Sequence, residues 1–174
     1  MKGNALALMI YFFPNSEDSK LVVGDKKIKI KFEVDMAKPT GGKVETKYRL
    51  LPSPYEVRVF DEPSMFSGKA AAIICREYKH RVKGRDYYDY LFYCGKGSKF
   101  NLNYLENKLK NSMKIERQSH LTIDLVKKFL KEKFLFVDYE SAKEDVRNFI
   151  NDYDALKLWS PSLFISTLDG LEFN

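Results

Sequence analysis

The chain has 174 residues, 44% of them hydrophobic and 31% charged, with a formal net charge of +6. That is an ordinary globular composition; it excludes a disordered chain, and its short apolar runs are far from the roughly 20 residues that span a bilayer. Two cysteines, Cys75 and Cys94, make no disulfide framework and no metal-binding spacing, and a cytoplasmic location is expected.

The first third reads as strands. Ala5 to Phe13 is an apolar stretch closed by Pro14-Asn15, with no small-residue cleavage site of a signal peptide after it. Lys20 to Val23 suggests a short strand before a Gly24-Asp25 turn. The clearest alternation follows, from Lys27 to Met36. A strand's period of two puts Ile28, Ile30, Phe32, Val34 and Met36 on an expected buried face, and Lys31, Glu33 and Asp35 on the other. Pro39 to Gly42 reads as a loop, and Val44 to Leu51 and Tyr55 to Phe60 as further strands.

At Asp61 the period becomes helical. Asp61-Glu62-Pro63-Ser64 opens a helix predicted to run to about Tyr78, with Phe66, Ala70, Ile73 and Ile74 facing the core. Lys83-Gly84 interrupts the pattern, and Asp86 to Cys94 resumes it until Gly95-Lys96-Gly97-Ser98. Helices are predicted over Asn101 to Met113, Thr122 to Phe134 and Ser141 to Ile150, the last with Ser141 as N-cap and Glu144 at the capping-box position. Asp154 to Trp159 and Pro161 to Leu168 complete an α+β chain. Residues 1–60 form the expected β-rich part and residues 61–174 a helical one, with no further sheet.

Charge concentrates in the middle. Residues 1–60 and 61–120 carry +4 and +5, while residues 121–174 carry −3. The densest patch, Arg76, Lys79, His80, Arg81, Lys83 and Arg85, suits a polyanion; a solvated helix end is the plainer reading.

Three places could carry chemistry. Lys31, Glu33 and Asp35 recur at about 6.6 Å along one strand face, a spacing that serves a cation or a general base as well as a solvated surface. Lys69 stands in an otherwise apolar stretch between Gly68 and Ala70, either snorkelling or set at a cleft. In the run Arg81 to Phe92, Asp86 and Asp89 are three apart and share one helix face, although Asp86 is also a natural helix-start residue. No Ser-His-Asp arrangement, His pair or phosphate-cradling glycine fingerprint is present, and His80 and His120 stand alone.

Ser67-Gly68-Lys69-Ala70 followed by Arg81-x-Lys83-Gly84-Arg85-Asp86-Tyr87-Tyr88-Asp89 resembles the AbiEii/AbiGii toxin family of nucleotidyltransferases. Ile30-Lys31-Phe32-Glu33-Val34 resembles the Lys-x-Glu strand of that family, and Lys143 to Pro161 its helical tail. The similarity extends from about residue 5 to residue 171. It implies a partial polymerase-β-like sheet followed by a helical bundle, and transfer of a nucleotide from an NTP to an acceptor such as tRNA. It also implies a separately encoded antitoxin, a role in phage defence and a magnesium cofactor. By resemblance, Glu33 is a carboxylate near the metal, Lys69 binds and stabilises the triphosphate, and Asp86 is the acidic residue of the last motif, with Asp89 beside it. Lys31, Arg81, Lys83 and Arg85 contact phosphate or hold Asp86.

The family's Gly-Ser or Gly-Gly turn about ten residues before an Asp-x-Asp pair has no counterpart in the first sixty residues. Without those carboxylates in-line phosphoryl transfer loses its main electrostatic support. The chain is therefore expected to be an incomplete and inactive portion, prone to self-association through an exposed sheet. The competing class is a non-catalytic helical module that binds nucleotide, RNA or a partner protein.

Overall fold

A computed structural model describes residues 5–12, 28–35, 40–78 and 81–174. The chain divides into two compact units, Met1–Pro39 and Thr40–Asn174.

The first unit holds an antiparallel pair, β1 (Ala5–Phe12) and β2 (Ile28–Asp35), in register from Ala5 opposite Asp35 to Phe12 opposite Ile28. The strand read from the alternation is present, but the two residues of its apolar face whose side chains are described are not buried. Ile30 and Phe32 are 41% and 56% exposed, and Lys31 and Glu33 on the other face are open too. A two-stranded ribbon supplies no second layer to cover a face. The strand expected at Lys20 to Val23 and the turns at Pro14-Asn15 and Gly24-Asp25 lie outside the described residues.

The second unit begins with a hairpin, β3 (Val44–Arg49) and β4 (Tyr55–Phe60), and continues into helices α1 (Glu62–Cys75) and α2 (Gly84–Gly95). A two-residue strand β5 (Lys99–Phe100) precedes α3 (Leu102–Asn111), α4 (Ile123–Phe136) and α5 (Tyr139–Val146). A 3-10 turn, Arg147–Phe149, leads to α6 (Asp154–Lys157), α7 (Pro161–Ser166) and β6 (Glu172–Phe173). The chain is thus mixed helix and small sheets, an α+β arrangement. The helical part is not free of sheet, as β5 and β6 pair in parallel. Two-residue strands are too short to leave a periodicity in sequence.

Helix starts follow local chemistry. Asp61, Asn101, Thr122, Asp138 and Ser160 each accept a hydrogen bond from a backbone N–H of the first turn. The start expected at Ser141 is corrected to Asp138, whose carboxylate accepts from Ser141 N at 3.0 Å. The Ser141 hydroxyl instead accepts from Val82 N at 3.1 Å, pinning the segment before α2 to α5. The core face read for α1 holds: Phe66, Ala70, Ile73 and Ile74 are buried. Phe66 stacks on Phe100 at 3.9 Å, and Tyr90, Phe134 and Phe164 close the aromatic core.

The hairpin is tied to the helices by Asn101. Its buried amide donates to Gly41 O at 3.0 Å and Ser64 Oγ at 3.1 Å, while its carbonyl oxygen accepts from Tyr104 N at 3.0 Å. Replacing Asn101 by Ala removes a cap and leaves buried groups unpaired, and is expected to cost about 2–3 kcal/mol in urea unfolding. A loss under about 0.5 kcal/mol would show that these bonds do not hold the hairpin base.

Candidate functional site

Helices α1 and α2 bring three of the expected residues together. The Lys69 ammonium lies 2.6 Å from Asp89 Oδ2 and 3.8 Å from Asp86 Oδ1. The three-residue spacing puts both carboxylates on one face of α2, as read from the sequence, and their shared Lys69 places that face toward α1. Asp86 is nearly buried, and its second oxygen is held by Arg76, the residue that ends α1. Asp86 sits in the first turn of α2, but it does not act as the N-cap; that position is Lys83, which makes no side-chain cap. Its carboxylate is committed to Lys69 and Arg76 instead.

The basic run is held by a residue that sequence reasoning missed. Asp145 of α5 has a side chain 1% exposed and accepts from Arg81 Nε at 2.7 Å and again from the Arg81 Nη2. Its other oxygen takes the Arg85 backbone N–H at 3.4 Å and lies 3.6 Å from Arg85 Nε. Asp145 thus supplies, from another helix, the cap that Lys83 does not. Arg81, one of the residues expected to contact phosphate or hold Asp86, is turned to Asp145, and Arg76 grips Asp86. Nothing local marks Asp145: it stands in an ordinary charged helix, 64 positions from Arg81.

Burial pushes the Asp145 carboxyl up, but the hydrogen bonds from Arg81 and the Arg85 backbone, with both guanidinium charges, outweigh it and hold the group below the usual aspartate range. A depressed native value means that the contact's stability is fully present above the unfolded aspartate value and is lost as pH falls through the native one. Asp145→Asn is expected to lower stability by about 1–2 kcal/mol at pH 7, modest because both arginines are solvent-exposed. The gap in Tm between variant and parent should narrow below about pH 4. A gap independent of pH would refute this reading of Asp145.

A cleft of about 370 Å³ opens here. Lys69, Arg76, Lys83 and Arg85 line it against Asp86 and Asp89, so cations outnumber carboxylates four to two. Val146, Phe149, Ile150 and Tyr88 complete the lining. A wider groove of about 740 Å³ runs along residues 107–117, with Glu116 as the one carboxylate among its lining residues, and lacks the paired carboxylates about a shared lysine.

Lys31 and Glu33 lie on β2 in the other unit, exposed and paired with each other. Among the described residues no group of three or more His, Cys, Asp or Glu side chains is placed to hold a metal ion. Asp86 and Asp89 are two carboxylates already engaged by Lys69 and Arg76, so the cleft's donors do not fit a magnesium site by themselves.

The profile of the family described as nucleotidyl transferase AbiEii toxin, type IV TA system, matches residues 9–160. The chain belongs to the AbiEii family. The match takes in both aspartates, Lys69 and the arginine cluster, and membership implies a separate antitoxin as partner. No curated protein and no solved structure matches the chain. Among the described residues, no helix is long and apolar enough to cross a membrane.

Proposed function

We propose that the α1–α2–α5 cleft is the NTP-holding part of a type IV toxin nucleotidyltransferase whose acceptor is RNA, tRNA among the candidates. The observation that carries this reading is Lys69, shared by Asp86 and Asp89 in a cleft where Arg76, Lys83 and Arg85 leave an excess of positive charge. Asp86 and Asp89 aim the Lys69 ammonium and Asp86 also engages Arg76, while the cleft lining as a whole keeps four cations against two carboxylates. A triphosphate is the physiological anion whose charge and length suit such a set.

In the family's reaction an acceptor hydroxyl attacks the NTP α-phosphorus, the bond to the bridging oxygen breaks, and pyrophosphate leaves. Lys69 would bind the triphosphate and balance the charge that grows on it. Lys83 and Arg85 would contact phosphate, Arg76 would fix Asp86, and Arg81 would act from behind through Asp145. Glu33, with Lys31, is the further carboxylate that the resemblance carries over. A magnesium ion would need donors beyond Asp86 and Asp89.

With that carboxylate set incomplete, these 174 residues are expected to bind NTP without transferring it. The central net charge of +5 favours an RNA acceptor, and the cytoplasm supplies both substrates. The test is a paired measurement on one preparation: calorimetric titration with NTPs, and transfer of label from NTP to total RNA in the presence of magnesium. Salt-sensitive binding with no transfer is expected. No binding would remove the nucleotide reading in favour of a partner-binding module, and strong transfer would show that other carboxylates complete the site.

A further inference from the structure

The cleft's lining is of two chemical kinds. One is ionic, from Lys69 through Arg85. The other is apolar, with Val146 buried and Ile150 half-buried beside Phe149, which is 66% exposed. Arg85 stands at the seam, its guanidinium 5.0 Å from the centre of the Phe149 ring and within 3.6 Å of Asp145. The Phe149 ring thus carries Arg85 over it and leaves the rest of its apolar surface open to the cleft's ligand. A ligand with an anionic chain at one end and a flat, polarisable ring at the other would use both kinds of lining.

We propose that Phe149, backed by Val146 and Ile150, seats the nucleobase of the NTP whose phosphates meet Lys69, Lys83 and Arg85. This rests on the nucleotide reading above. A base laid on this shelf covers apolar surface that is otherwise wet and stacks against the Phe149 and Arg85 planes, a contact indifferent to base edges. The 3-10 turn that carries Phe149 follows directly on α5, so the buried Asp145 fixes both the phosphate-facing arginine and the start of the base-facing shelf. Sequence periodicity gives no sign of this, because Phe149 reads as one more apolar residue of a predicted helix.

The experiment titrates the full chain, Phe149→Ala and Phe149→Leu with two probes, ATP and inorganic tripolyphosphate, in one buffer. The parent should bind ATP several-fold tighter than tripolyphosphate. Phe149→Ala should weaken ATP about tenfold and leave tripolyphosphate within twofold; Phe149→Leu should lie between. Equal weakening of both probes would mean that Phe149 only supports the fold, and unchanged ATP binding would place the base elsewhere. Either result overturns the base seat while leaving the phosphate site standing. If the parent binds neither probe, the nucleotide reading itself fails, and the base seat with it.

Discussion

Gly84→Ala should cost about 3 kcal/mol or more and lower the yield of folded protein. A Cβ built on Gly84 would stand 1.8 Å from the Ala142 carbonyl oxygen and 2.7 Å from its carbon. Both are backbone atoms, which no rotamer change can move aside. Relief requires α2 and α5 to part, and that separation breaks the bonds from Val82 to Ser141 and from Arg81 and Arg85 to Asp145. The control is Gly95→Ala at the other end of α2, where a Cβ meets nothing within 4 Å. That change should be neutral or stabilise by up to about 1 kcal/mol. Urea unfolding of the two variants checks the pair, and equal stabilities would show that the close α2–α5 approach is not needed.

Lys69→Met should weaken ATP binding at least tenfold while leaving the fold intact. The substitution keeps an unbranched apolar stem, one atom shorter, and removes the charge. Asp89 then loses its 2.6 Å partner, and Asp86 keeps only Arg76. The cleft goes from four cations against two carboxylates to three against two, and Asp89 turns from a lysine anchor into a repulsive neighbour for phosphate. Lys69→Arg should recover part of the loss, since charge returns with a different fork geometry. Calorimetry on each variant measures this, with the far-ultraviolet spectrum as the check on folding. Binding by Lys69→Met within twofold of the parent would separate Lys69 from the ligand.

What the sequence made legible was what depends on neighbours along the chain. The α1 core face could be read from the recurrence of Phe66, Ala70, Ile73 and Ile74, and the shared face of Asp86 and Asp89 from a spacing of three. Lys69 stood out as a charge among small apolar residues. What stayed hidden depended on contacts between distant segments. Arg81 reads in sequence as a phosphate or Asp86 ligand because Asp145, which it meets in the fold, lies on a helix with no distinguishing pattern. Ser141 and Asp138 are both fair caps three residues apart, and only the docking of Val82 onto the Ser141 hydroxyl shows which one is used for something else. The alternation of β2 identified the strand correctly, yet alternation reports which residues share a face, not whether anything covers it, and Ile30 and Phe32 are open.

NTP binding in the cleft between Lys69 and Phe149 can be seen directly. The most direct measurement is a crystal structure of the full chain soaked with a non-hydrolysable ATP analogue. The expected result is a triphosphate against Lys69, Lys83 and Arg85, with the base over Phe149. A triphosphate lying instead in the groove along residues 107–117, with the Lys69 cleft empty at saturating ligand, would contradict it.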